Sequence, residues 1–176
     1  MTGLDANKDV IVEIATLITN DELEIIAEGP DLVIHTEDIY LNQMNDVVKK
    51  MHTQSGLLEA IKSSQISLEQ AGQQTLEFLK AHIEKPHTVP LCGNSISTDR
   101  KFLLSYLPEV EDFFHYRNVD VSTIKELCKR WYPKEYVEME SKSTKHRALD
   151  DIKESIEELI LYRKNIFKPT DNKKQS

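Results

Sequence analysis

The chain has 176 residues, with 30 Asp and Glu against 22 Lys and Arg for a formal net charge of −8, and 39% of it is hydrophobic. That length buries the core of one domain, and five Gly and six Pro exclude collagen-like and low-complexity architectures. No apolar run reaches the roughly 20 residues of a membrane helix, and the acidic balance excludes a protein that grips long duplexes through a broad basic face.

Met1 to Asp5 (MTGLD) has neither a basic n-region nor an apolar h-region, so a cytoplasmic location is expected. Val10 to Thr19 (VIVEIATLIT) is rich in β-branched residues and predicts a strand buried on both faces. A polar turn at Asn20-Asp21-Glu22 leads to a second strand over Leu23 to Glu28. Gly29-Pro30-Asp31 then predicts a turn into Leu32 to His35, completing an antiparallel meander. Met44, Val47, Val48 and Met51 recur at helical spacing and predict one helix over 37–51. Ser67-Leu-Glu-Gln70 has the form of a capping box, and Leu68, Ala71, Leu76, Leu79 and Ile83 make the stripe of the helix behind it.

From Val89 strands and helices alternate. Val89 to Cys92 is strand-like, Phe102, Leu103, Tyr106 and Leu107 are helical, and Val119 to Val121 is a short strand before a helix striped with Ile124, Leu127, Cys128 and Trp131. Pro133 to Lys145 predicts a mobile polar loop, 146–164 a final helix on Ala148, Ile152, Ile156, Leu159 and Ile160, and 168–176 a disordered tail. Cys92 and Cys128 sit among apolar neighbours and read as buried, reduced thiols. The order ββ(β)ααβαβα predicts an α/β fold with a mixed sheet flanked by helices.

Three clusters could carry chemistry. In Gly93-Asn94-Ser95-Ile-Ser-Thr-Asp99 a strand ends before an acid opens a helix, the place where open α/β sheets hold ligands. The same acid could simply favour the helix N-terminus through the macrodipole, worth about 0.3–1 kcal/mol. His146 and Asp151 lie about 140° apart on a regular helix, so they share a site only if His146 precedes the helix; otherwise they are a surface pair. Asp151 is preferred to Asp150, although spacing does not separate them. In His115-Tyr116-Arg117-Asn-Val-Asp-Val-Ser122-Thr123 a strand again meets a helix. Ser122 or Thr123 reads as an N-cap, and the same hydroxyls with Arg117 could bind a phosphate.

Taken together, Met1-Thr-Gly-Leu4, Ala27-Glu-Gly-Pro30, Ser55-Gly-Leu57, Gly93-Asn-Ser95 with Asp99, His115-Tyr-Arg117, Asp120-Val-Ser-Thr-Ile-Lys-Glu-Leu127, Arg130-Trp131 and His146 with Asp151 resemble the oligoribonuclease family. These are small exoribonucleases of the DEDDh superfamily. The resemblance covers residues 1–167, taken as one exonuclease domain. It implies a ribonuclease H-like fold and 3′-to-5′ removal of nucleotides from very short RNA, with four acids holding two divalent cations, Mg or Mn. By resemblance Asp99 and Asp151 are the third and fourth acids and His146 the general base, which an imidazole suits at cellular pH. Leu4 resembles the wedge against the bases and His52 a substrate-side position. Ser95, Arg117, Ser122 and Thr123 resemble the group that caps a 5′ phosphate. The family's homodimer would bring the residue matching Tyr116 toward the partner's active site.

The chain departs from the pattern twice. The family places a central strand with Asp-x-Glu, carrying two metal ligands, just before Met-Thr-Gly-Leu. This chain is therefore expected to lack its true N-terminus, its first strand and most or all activity. Val47 stands where the family usually has Trp, predicting a weaker grip on the base. A non-catalytic derivative that binds short RNA, and a DEDDh exonuclease acting on DNA or longer RNA, are the competing readings.

Overall fold

The structure is a computed structural model that describes residues 1–138 and 147–168. Strands β1 (Glu13–Thr19) and β2 (Ile25–Val33) form an antiparallel hairpin. Asn20 turns the chain between them, its Oδ1 accepting the amides of Glu22 (3.0 Å) and Glu24 (2.9 Å). The expected strand from Val10 begins at Glu13, because Val10 bonds to Thr2 and Val12 to Ile34 instead of to β2. The expected turn at Gly29-Pro30-Asp31 is absent, and β2 runs straight through it. Ala15 pairs with Asp31 and Leu17 with Glu28, so Gly29 and Pro30 form a bulge. A bulge tolerates the amide that proline lacks. Glycine is needed there because a Cβ at Gly29 would lie 2.7 Å from the Phe78 ring.

The single helix expected over 37–51 is two, α1 (Asp38–Gln43) and α2 (Asp46–Gln54). Asn45 starts the second, its Oδ1 accepting the Val48 amide at 2.9 Å. After Gly56 in the left-handed region (φ 74°) comes α3 (Leu57–Ser63), which the periodicity did not reveal. Helix α4 (Leu68–His82) carries the expected capping box, with Ser67 Oγ accepting the Gln70 amide (3.1 Å) and Gln70 Oε1 the Ser67 amide (2.9 Å).

The second half is a βαβ unit. Strand β3 (Pro90–Gly93) leads to α5 (Ile96–Tyr106) and α6 (Pro108–Phe113), and β4 (His115–Asp120) returns parallel to β3, with Gly93 opposite Asp120. Helices α7 (Val121–Trp131), α8 (Pro133–Glu138) and α9 (Ala148–Asn165) follow. The loop expected over Pro133 to Lys145 thus opens as a helix with Pro133 in its first turn, where a missing amide costs nothing. Its remainder from 139 lies outside the described residues, as do 169–176 of the expected tail. No helix among the described residues is long and apolar enough to cross a membrane.

The class is α/β as predicted, yet among the described residues the strands make two separate pairs, not one mixed sheet. Helix α9 packs against both β1 and β3 and bridges them. The main core joins Ile11, Ile34, Ala71 and Leu79 to Phe102, Leu103, Leu107, Val110 and Phe113. A smaller cluster of Val121, Cys128 and Tyr162 seats α7 on α9. Leu127 and Trp131, expected on the apolar stripe of α7, are exposed. Both cysteines are free thiols, but Cys92 is exposed against expectation, since strand alternation turns Leu91 to the core and Cys92 away from it.

Candidate active site

Because β3 and β4 are parallel neighbours, the helices that follow them start side by side. Ser95, at the start of α5, is a non-glycine residue in the left-handed region (φ 54°), a conformation costing about 1 kcal/mol or more. It is held by bonds across the junction: its amide donates to Asp120 Oδ1 (3.0 Å) and Ser122 Oγ (2.8 Å), and the two serine hydroxyls lie 3.2 Å apart. Asp120, whose Oδ1 also accepts the Ser122 amide at 2.9 Å, is the N-cap of α7. The N-cap expected at Ser122 or Thr123 is therefore two or three residues earlier, at Asp120, and Thr123 is exposed on α7. A shallow cavity of about 370 Å³ opens there between Ser122, Thr123, Glu126, Leu127 and Arg130.

Arg117 and Tyr116 project from β4 into solvent, with the Arg117 guanidinium carbon 5.4 Å from the Tyr116 ring centre. Their backbone rests on Arg100, which donates to Asn118 Oδ1 (2.6 Å), Glu111 Oε1 (2.6 Å) and the carbonyl of His115. Beneath the serines, Ser122 Oγ donates to Asn94 Oδ1 (3.0 Å), and Asn94 Nδ2 donates to Ser155 Oγ (2.9 Å) and Glu158 Oε2 (3.1 Å).

Asp99 lies in the first turn of α5. Burial pushes its carboxyl above the usual range and Asp120 adds to this, against its own backbone amide and the positive charge at the Met1 amino group. Burial lowers the affinity of that amino group for its proton, opposed by Glu13, Asp99 and Asp9. Asp151 is exposed in the first turn of α9. That helix begins at Ala148 behind an extended Arg147, and His146 lies outside the described residues. The start of α9 is pinned by Glu13, whose Oε1 takes Arg147 Nη2 (2.6 Å) and Nε (2.7 Å) and whose Oε2 takes the Ala148 amide (2.9 Å). Asp150 lies in the field of Arg147 and Asp31.

The N-terminal segment forms a second group. Thr2 Oγ1 (3.1 Å) and the Asp5 amide (2.9 Å) donate to the Asp9 carboxylate. A Cβ at Gly3 would lie 2.4 Å from that carboxylate, which would have to turn aside from these bonds. It presents Leu4, 82% exposed. His52 is 3% exposed, and its Nε2 lies 2.9 Å from the Met1 carbonyl oxygen. Val47 is 76% exposed.

Sequence reasoning missed Asn94, Asp120, Glu158, Glu13 and Arg100 as parts of this architecture. Only Asp120 carried a local signal, an Asx residue two before a serine at a helix start. Asn94 and Glu158 are 64 residues apart, and Glu13 and Arg147 134, beyond any local pattern.

The exonuclease family model matches residues 1–159. Bovine mitochondrial oligoribonuclease is 51% identical over 176 residues, 99% of this chain and 74% of the bovine protein. The Haemophilus influenzae oligoribonuclease is 51% identical over 168 residues, 96% of this chain and 91% of its own. This chain belongs to the oligoribonuclease family of exonucleases. A Mycobacterium tuberculosis oligoribonuclease is also 47% identical over 169 residues, 96% of this chain and 79% of its own. As an exonuclease it is a nuclease and a hydrolase, and its α/β architecture agrees with a ribonuclease H-like fold.

Exonucleases of this kind generally use divalent cations, and Asp99 and Asp151 are hard oxygen donors of the type such cations take. Among the described residues, however, no three His, Cys, Asp or Glu side chains converge to hold a metal.

Proposed function

We propose that this oligoribonuclease-family chain acts on very short, 5′-phosphorylated single-stranded RNA as a 3′-to-5′ exoribonuclease, through a domain spanning 1–167. One observation carries the reading: Ser95 and Ser122 meet at two adjacent strand–helix junctions, with Arg117 exposed on the strand between them and Asp99 in the first turn of α5. Helix N-termini and a guanidinium suit a terminal phosphate, and Thr123 is a further hydroxyl beside them. A phosphate held there would stop a longer chain from passing. Leu4 is the wedge against the bases, and His52 holds the Met1 carbonyl behind it.

Asp99 and Asp151 are the acids of this chain that would help to hold two divalent cations, Mg or Mn, whose chemistry there would be Lewis-acid stabilisation of charge at the scissile phosphate. His146 is the general base. The working form is a cytoplasmic homodimer with Tyr116 directed at the partner's site. Among the described residues no three His, Cys, Asp or Glu side chains converge to hold a metal, which favours a second reading, short-RNA binding without turnover.

The test compares diribonucleotides, short DNA and long RNA as substrates with Mg²⁺ or Mn²⁺, using the chain and a version extended before Met1 by a strand bearing Asp-x-Glu. The extended protein should cleave the diribonucleotide best, and Asp99→Asn should abolish that cleavage. Saturable binding with no turnover in either form would establish the second reading, and preference for DNA or long RNA would refute both.

A further inference from the structure

Glu158 joins the phosphate group to the last helix. Its carboxylate, largely buried between α7 and α9, receives Lys125 Nζ (2.7 Å) and Tyr162 Oη (2.8 Å) on Oε1 and Asn94 Nδ2 (3.1 Å) on Oε2. A carboxylate only accepts, so it dictates which end of the Asn94 amide faces it. Nδ2 points to Glu158, and Oδ1 is left for Ser122. That oxygen takes the one hydroxyl proton of Ser122, so Ser122 Oγ meets the Ser95 amide as an acceptor. Donation therefore runs from the Ser95 amide through Ser122 and Asn94 to Glu158, which Lys125 meets from the other side, and the first donor is the backbone amide whose bonds hold the left-handed conformation of Ser95.

We propose that Glu158, held by Lys125, is a positioning residue for recognition of the substrate's 5′ phosphate, acting through Asn94 on Ser122 and Ser95. The inference rests on the reading of Ser95, Ser122 and Arg117 as the phosphate group. Its chemistry makes Glu158→Gln a sharp perturbation. Lys125 and Tyr162, both donors, select the glutamine oxygen, which turns its NH₂ toward Asn94. Asn94 must then flip to offer its oxygen, and its NH₂ faces Ser122. Ser122 now accepts from Asn94 and turns its proton to Ser95 Oγ, 3.2 Å away, reversing the polarity of the serine pair, while Asn94 gives up its bond to Ser155, whose own proton goes to the Asp151 carbonyl.

The test is calorimetric titration of the full chain in EDTA, where nothing is hydrolysed, with diadenylate carrying either a 5′ phosphate or a 5′ hydroxyl. Wild type should prefer the phosphorylated ligand. Glu158→Gln should weaken it about tenfold, equivalent to about 1.4 kcal/mol, and change the hydroxyl ligand by less than about twofold. Asn94→Ala, which breaks the relay without stranding a charge, should show the same selective loss. Tyr162→Phe removes a bond to the same carboxylate but leaves the amide's direction intact, so it should lower thermal stability and keep the phosphate preference. Retention of the preference in Glu158→Gln or Asn94→Ala, or its equal loss in Tyr162→Phe, would overturn the relay alone. A wild type indifferent to the phosphate would overturn the phosphate-group reading and the relay with it.

Discussion

Replacing Glu13 with Ala tests how the hairpin is fastened to the helix that carries Asp151. The Glu13 side chain is 4% exposed and its partner Arg147 31%, and the interaction comprises two guanidinium bonds and one backbone amide. A charge-assisted bond contributes about 1.5–3 kcal/mol net, and removing one partner from a fully buried pair costs about 3–5 kcal/mol. Water reaches the arginine, so the lower end applies and the loss should be about 3 kcal/mol. For a chain of this size that lowers Tm by roughly 6–12 °C. Glu13→Gln keeps an acceptor for the Ala148 amide and gives up the charge, so its loss should be about half as large. Urea unfolding followed by circular dichroism, with a calorimetric melt alongside, gives both values. A loss below about 1 kcal/mol for Glu13→Ala would refute the reasoning, since it would mean that Arg147 and the Ala148 amide are equally well satisfied by water.

Three further outcomes are expected. Val47→Trp places an indole on an exposed position of α2, and stacking worth about 1–3 kcal/mol should tighten dinucleotide binding at least about fivefold; an unchanged Kd in titration calorimetry removes the idea. Asp99→Asn should abolish metal-dependent diribonucleotide cleavage by the Asp-x-Glu-extended protein, read by chromatography of the products. Stability should fall in acid partly through Glu158: burial would raise its carboxyl, but the bonds from Lys125, Tyr162 and Asn94 outweigh this and hold it below its ordinary 4.5. A carboxyl lowered on folding stabilises above its unfolded value and loses that contribution as pH falls through the folded one. Urea midpoints measured downward from pH 6 should therefore drop more steeply for wild type than for Glu158→Gln, and parallel curves would contradict the assignment.

What was legible in the sequence was local. The capping box at Ser67 is written in adjacent residues and stands as read, whereas the strand expected over Val119 to Val121 runs from His115 to Asp120 and Val121 already opens α7. The turn at Gly29-Pro30 failed because the same dipeptide serves a bulge when a neighbouring ring, here Phe78, needs the space of a missing side chain. The helix over 37–51 failed because hydrophobic spacing stayed in phase across Asn45, whose capping role depends on one hydrogen bond. At the candidate site the strand-end and helix-start positions of Ser95, Asp99 and Ser122 could be read. The bonds beneath them could not, since Asn94 in the turn after β3, Lys125 on α7 and Glu158 on α9 are brought together only by folding.

Helix α9 touches both strand pairs, and nothing else of comparable length spans them among the described residues. An isolated two-stranded ribbon is barely stable in water, so each pair depends on the helices packed against it, and α9 is the helix the two pairs share. In native-state hydrogen exchange the amides of α9 should therefore open together with those of β1 and β3, as one cooperative unit, while α1 to α3 exchange on their own. Loosening α9 would move Asp151 and Glu158 in the same event.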